Sequence, residues 1–217
     1  MAGINKKKYY LILIVLAILI AMASFLFLFN DFDKNGRSPE NIVFENDLDI
    51  VYGKDSTDIT IFMFSSYNCF FCRKFFENVF PSLKNEYMNR GKVKLVVKLV
   101  ALEKNAPVVN SLMLAVCINE FGDFEKLNEL LLKEPKVVYT DKFMAVTNEL
   151  IEKDEFVAEC MLSGESEKYI LRNMVDFRRL KCTGTPTFVI NNKIYKGYRE
   201  YNEFKEIIEK ELAYALH

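Results

Sequence analysis

Hydrophobic positions in this 217-residue chain fall into three patterns, and the first is an unbroken run. Tyr9 to Phe29 carries no charge and follows Lys6, Lys7 and Lys8. Its 21 residues, helical at ~1.5 Å each, span ~30 Å, the thickness of a bilayer's hydrocarbon core. A core helix needs a polar face, which this run lacks. The run predicts one N-terminal transmembrane helix, with residues 1–8 as a cytoplasmic tail and the body outside the cytoplasm. The competing reading is a cleaved signal peptide, because Ala21-Met22-Ala23 resembles a small-residue cleavage site. The apolar continuation through Phe29 favours the anchor. Both readings place the body in an oxidising compartment. Residues 30–40 are polar, hold Gly36 and Pro39, and read as a linker.

The second pattern belongs to strands. Ile59 to Phe64 is a short β-rich apolar run, and a weaker strand is expected within Asp47 to Tyr52. Lys92 to Val100 alternates, with Val93, Leu95, Val97 and Leu99 on one face and Lys94 and Lys98 on the other. Between these strands Phe76, Phe80, Leu83 and Tyr87 recur at helical spacing, with Pro81 expected to kink the helix. Strand, helix and strand within so short a span predict a βαβ unit with parallel strands. Near the end, Thr187 to Ile190, Asn191-Asn192 and Lys193 to Tyr195 read as a hairpin. A helix from about Glu200 follows, with Phe204, Ile207, Ile208 and Leu212 on one face.

The third pattern is a helical block over about 105–181. Pro107 opens its first helix and Phe121-Gly122 closes it. Asp123 reads as the N-cap of the next, and Thr140 or Asp141 caps a third. Two more helices are expected, over Asp154 to Leu162 and Ser166 to Lys181.

Composition removes several function classes. Lys plus Arg (29) nearly balances Asp plus Glu (30), so no basic footprint for nucleic acid exists. The one histidine, His217, is the last residue, which leaves no Ser-His-Asp or Cys-His arrangement in the body and argues against histidine metal sites. No metal is expected.

The chemistry left is that of cysteine. Cys69-Phe70-Phe71-Cys72 follows a strand and opens a helix, where unpaired N–H groups and the helix dipole favour a thiolate. The thiolate is the nucleophile of disulfide exchange, and two intervening residues let the sulfurs bond. Buried or metal-binding cysteines are the bland alternative. Gly184-Thr185-Pro186-Thr187 precedes a strand; it reads either as plain strand entry or as a cis Thr185–Pro186 bond whose backbone pairs with a substrate. Phe70 and Phe71, with Tyr67, are candidates for an apolar rim that receives unfolded polypeptide. Cys117 and Cys160 fall in the helical block, either bridged or, as lone helix cysteines more often are, small buried apolar residues. Cys182 is expected to be inert, the alternative being a third redox-active thiol.

The segment Phe64-Ser65-Ser66-Tyr67-Asn68-Cys69-Phe70-Phe71-Cys72-Arg73-Lys74-Phe75 resembles the active-site segment of DsbA-like thioredoxin-fold oxidoreductases. Gly184 to Lys193 resembles the cis-proline segment of the same family. The resemblance covers about residues 41–215. It implies an α/β thioredoxin-like domain at 41–104 and 182–217, with an inserted helical domain at 105–181. It implies Cys69 as nucleophile, Cys72 as resolving cysteine, and Thr185-Pro186 facing them. No cofactor beyond a redox-active Cys69–Cys72 disulfide is implied. The implied partners are cysteine-containing proteins and a membrane redox partner, a quinone-linked oxidase or a transmembrane electron donor. The protein is thus expected on the periplasmic or cell-surface side of the membrane.

Two departures from the family pattern matter. Strongly oxidising members carry a histidine between the cysteines, where this chain has two phenylalanines. The Cys69 pKa is therefore expected to be lowered mainly by the helix terminus, with a less oxidising couple. The acidic residue often found six positions before the first cysteine is Met63 here, so proton transfer to Cys72 is expected to use water. Lys98 is expected to be an exposed strand lysine. The other classes weighed are a tethered binding module without turnover and a metal chaperone.

Overall fold

A computed structural model describes residues 10, 13–24, 37–103, 105–121 and 124–215. Of the apolar N-terminal run it describes Tyr10 and residues 13–24, which are helical and exposed. Among the described residues no helix is long and apolar enough to cross a membrane. The predicted span of 9–29, the basic flank and the Asp123 cap lie partly or wholly outside the described residues.

Among the described residues five strands form one sheet in the order β1-β3-β2-β4-β5: β1 (Ile50–Tyr52), β2 (Ile59–Ser65), β3 (Val93–Leu99), β4 (Thr187–Ile190) and β5 (Lys193–Lys196). β2 and β3 are parallel and in register from Ile59↔Val93 to Ser65↔Leu99. The other pairings are antiparallel. The hairpin between β4 and β5 turns on Asn191 (φ 47°) and Asn192 (φ 60°), since asparagine tolerates the left-handed conformation such a turn requires.

Helix α1 (Phe70–Asn78) joins β2 towards β3 and ends at Val79. Pro81 lacks the N–H that would continue it, so a second short helix, α2 (Phe80–Leu83), restarts there, and Lys84–Met88 then widens into a π turn. The expected kink is thus a break. Between β3 and β4 lie α3 (Ala106–Phe121), α4 (Phe124–Lys133), α5 (Asp141–Lys153), α6 (Glu155–Leu162) and α7 (Glu165–Arg179), with a 3₁₀ turn at Pro135–Tyr139. The Thr140 hydroxyl caps α5 by accepting from the Phe143 N–H. The Asp154 carboxylate caps α6 in the same way, through Phe156 and Val157. Helix α8 (Tyr201–Ala215) follows β5.

The pleat sorts the core into two faces. Ile59, Ile61 and Met63 join Cys72, Phe75, Phe188 and Phe204 on the face covered by α1 and α8. Phe64, Val100, Phe177 and Val189 pack on the other, where α7 lies, and the Phe64 and Phe177 rings meet edge-on at 5.8 Å.

Lys98 corrects the expectation of a solvent-facing lysine: it is 2% exposed. Its Nζ lies 2.6 Å from Asp49 Oδ2, and the Tyr169 hydroxyl donates to Asp49 Oδ1 at 2.7 Å. The pairing Ile50↔Val97 brings Asp49 beside Lys98, so the alternating lysine face is covered rather than wet. Its ammonium sits over Phe62 at 5.9 Å, on the face away from α1 and the cysteine pair. Burial raises the Asp49 carboxyl, with Lys98 and Tyr169 acting against it.

The linker expected over 30–40 is described only from Arg37 onward, and that end is docked. Arg37 pairs with the buried Glu211 at 2.5 Å and bridges to Lys193 of β5. Arg179 holds the Glu40 and Ile42 carbonyls.

Candidate active site

The loop after β2 delivers Cys69 to the start of α1. Ser65 and Ser66 are buried; the Val100 N–H bonds the Ser65 carbonyl at 2.9 Å, and the Cys69 N–H bonds that of Ser66 at 3.1 Å. Cys69 is the N-cap of α1 in extended conformation (φ −79°, ψ 112°), which turns its sulfur back over the first helical turn. There Sγ accepts the Cys72 N–H at 3.1 Å.

Across from it the Thr185–Pro186 bond is cis. Cys69 Sγ donates to the Thr185 carbonyl oxygen at 3.1 Å. Two segments 116 residues apart in sequence therefore meet at one sulfur atom. The turn is held by the Thr187 hydroxyl, which donates to the Gly184 carbonyl at 2.7 Å.

The two thiols differ in environment. Cys69 is half-buried and Cys72 has no exposure. Both are free thiols in this structure. Cys69 is lowered to about 6, chiefly by a hydrogen bond from the Cys72 thiol, with Thr185 and the Cys72 and Phe71 N–H groups adding to it and burial opposing. The helix terminus, the expected main cause of this lowering, is secondary to the partner thiol. Burial pushes Cys72 far above the ordinary thiol range, and its hydrogen bond to Cys69 and the Cys69 charge push it further. One sulfur is made a thiolate near neutral pH, while the other is kept protonated beneath it.

The rim differs from the expected one. Phe70 and Phe71 are 63% and 52% exposed and meet edge-on at 5.4 Å. Tyr67 is only 5% exposed, so it is not on the rim. Its place is taken by Tyr198, whose ring stacks on Phe71 at 6.1 Å. Lys74 lies over Tyr198 at 4.6 Å and pairs with Glu200 at 2.8 Å. Sequence reasoning missed Tyr198, which follows β5 by two residues and carries no motif. Met63, at the often acidic position, is fully buried in the same core as Cys72.

The two remaining questions about cysteine resolve differently. Cys117 and Cys160 are bridged, with sulfurs 2.03 Å apart, which corrects the reading of two separate apolar residues. The bridge ties α3 to α6, whose facing surfaces bring Cα atoms within 5.7 Å across 43 residues of sequence. Cys182 is free and half-buried among Phe62, Phe64 and Val189, on the sheet face away from α1. Burial raises its thiol.

Comparisons with known proteins give the family of the chain. The Thioredoxin family model matches residues 45–210. Disulfide bond formation protein D of Bacillus subtilis is 27% identical over 172 residues, covering 75% of this chain and 76% of that one. A putative protein-disulfide oxidoreductase of Rickettsia prowazekii is 22% identical over 177 residues, covering 78% of this chain, which spans 64% of that protein's length. The crystal structure of α-DsbA1 from Wolbachia pipientis superimposes with a TM-score of 0.66 at 20% identity, over 82% of this chain and 98% of that one. The chain belongs to the thioredoxin family and is a DsbA-like thiol–disulfide oxidoreductase.

Proposed function

We propose that the chain donates disulfides to cysteine-containing proteins outside the cytoplasm, with Cys69 as the exchanging sulfur and Cys72 as its resolving partner. One observation carries the reading: Cys69 Sγ sits 3.1 Å from both the Cys72 N–H nitrogen and the Thr185 carbonyl at the cis turn. In the oxidised form a substrate thiolate attacks Cys69 Sγ. The Cys69–Cys72 bond breaks, and Cys72 leaves with the electron pair and takes up a proton. A second substrate thiolate then attacks the substrate sulfur of the mixed disulfide, expelling Cys69 as thiolate. The substrate loses two electrons and the chain gains them. A membrane redox partner, quinone-linked in this direction, must remove them again.

Leaving-group chemistry supports this direction. A sulfur lowered to about 6 leaves more readily than an ordinary protein thiol and stabilises the reduced chain. Without a histidine between the cysteines, the potential is expected below the about −120 mV of DsbA. Phe70, Phe71, Thr185 and Pro186 receive the substrate: the phenylalanines as an apolar rim, the cis turn as a backbone edge. The thioredoxin-like domain is read as 41–104 plus 182–217, with 105–181 inserted.

The reading includes a single-pass anchor at 9–29, N-terminus in the cytoplasm. Its support is Lys6 to Lys8 before an uncharged run, and the exposed apolar side chains over 13–24. Extraction of membranes with alkaline carbonate is expected to leave the protein in the pellet; a mature N-terminus at Ser24 contradicts the anchor. For the chemistry, Cys72→Ala is expected to trap mixed disulfides that Cys69→Ala does not. Partner capture that survives Cys69→Ala supports a binding module instead.

A further inference from the structure

Tyr67 stands two residues before Cys69, yet its phenol points into the protein. The hydroxyl donates to Asn128 Oδ1 at 3.0 Å. Asn128 Nδ2 in turn donates to the Tyr52 hydroxyl at 3.4 Å. Three elements are joined by this contact: the loop that carries Cys69, the strand β1, and α4 of the helical segment. Tyr67 and Asn128 are buried, and the Tyr67 phenol is held protonated by burial, the neighbouring phenol and Glu125, so it remains a donor. A buried amide with both ends satisfied fixes its neighbours more firmly than an apolar contact. The Tyr67 backbone is pinned as well, its carbonyl accepting from Arg73 at 3.0 Å.

Asn128 has a second face. With Phe70, Arg73, Phe76 and Leu132 it lines an open groove of about 760 Å³. One residue thus lines that groove and bonds the loop that carries Cys69.

We propose that Asn128 is a positioning residue for disulfide exchange, holding the Ser65–Asn68 loop through Tyr67 so that Cys69 stays over the first turn of α1. This rests on Cys69 being the exchanging sulfur. Losing the clamp lets the loop drift, and Sγ then leaves the Cys72 and Phe71 N–H groups. The groups that set its titration are Cys72, Thr185 and those two amides, none of which Tyr67→Phe alters.

The test uses the full chain and reads Cys69 directly, by the pH profile of its alkylation with iodoacetamide after Cys182→Ser. Tyr67→Phe and Asn128→Leu are each expected to move the midpoint upward and slow alkylation near pH 6 about three- to fivefold, the weight of one buried hydrogen bond. The double variant is expected to be no worse than either single one. Asn128→Gln is expected to restore part of the rate. An unchanged profile in Tyr67→Phe, with only a lower denaturant midpoint, overturns the proposal and leaves a structural contact; additive effects in the double variant overturn it too. Should Asn128→Leu fail to fold, Tyr67→Phe decides alone, since it removes one hydroxyl. Turnover that survives Cys69→Ala sinks the functional reading instead, and is told apart because alkylation requires no substrate.

Discussion

Two cysteine pairs in this molecule meet opposite fates. Cys69 and Cys72 stand at the open end of a helix, one half-exposed, with backbone donors aimed at the sulfur. Cys117 and Cys160 lie inside packed helices, joined to each other and buried. Spacing explains part of the difference. Two residues within one helical turn make a bond that opens and closes with little backbone change, while 43 residues close a loop whose bridge holds two helices together. Surroundings explain the rest. The partner thiol, with the N–H groups of the helix N-terminus behind it, stabilises the thiolate that exchange needs, and an apolar interior stabilises none.

Swapping the lesions breaks or keeps this contrast most sharply. Cys69→Ala is expected to abolish turnover of a protein disulfide substrate, while its denaturant midpoint below pH 6, where the Cys69 thiolate adds no stability, stays near that of wild type with the Cys69–Cys72 pair reduced. The paired change Cys117→Ala with Cys160→Ala is expected to do the reverse. By the loop-entropy estimate it costs about 4 kcal/mol of stability for a 43-residue separation, with exchange at Cys69 retained below the melting transition. Turnover lost in the second variant at a temperature where circular dichroism shows it folded would make the helical bridge part of the chemistry.

A second contrast is read with pH. The folded Cys69 thiol titrates near 6 against 9 for an ordinary one, so its folded value is depressed. A depressed group adds stability that is complete above the unfolded value and is lost as pH falls through the folded value. The reduced chain should therefore gain on the oxidised chain as pH rises from about 6 to about 9, and level off below 6. Cys72 is shifted the other way, so its opposing effect begins only above the ordinary thiol range. The Cys117–Cys160 bridge carries no titrating sulfur in either state. Melting temperatures of both redox forms across that range check the sign, and a constant gap between them contradicts a stabilised thiolate.

Much of this was legible in the sequence because it is local. The strand before Cys69, the helix after it and the Asn191-Asn192 hairpin each follow from adjacent residues, and the structure places them as expected. What escaped is non-local. Lys98 alternates with core residues and so reads as wet, until the strand pairing sets Asp49 beside it. Tyr67 reads as part of the rim because nothing near it announces Asn128, 61 residues away. Cys117 and Cys160 each look like an isolated helical cysteine, and only the packing of α3 on α6 turns them towards one another. In each case the partner comes from another element, and short-range patterns encode faces rather than pairings.

The smallest expected effect concerns what surrounds the open pair and is absent from the closed one. Phe70 is 63% exposed, so its side chain contributes little to the folded body that truncation can remove. Its contacts are with Phe71 at 5.4 Å and, through its ring face, with Arg73 at 5.9 Å. An exposed aromatic at the mouth of a reactive sulfur gains its burial only when a polypeptide covers it. Phe70→Ala should therefore leave melting within about 0.5 kcal/mol of wild type, as surface changes usually do. It should raise KM for an unfolded, reduced protein by about three- to tenfold, the loss of part of one aromatic burial, with exchange against oxidised glutathione unchanged. Equal slowing of both reactions would mean that Phe70 acts on the sulfur itself, and the two pairs would then differ in bonding alone and not in having a surface built to receive a substrate.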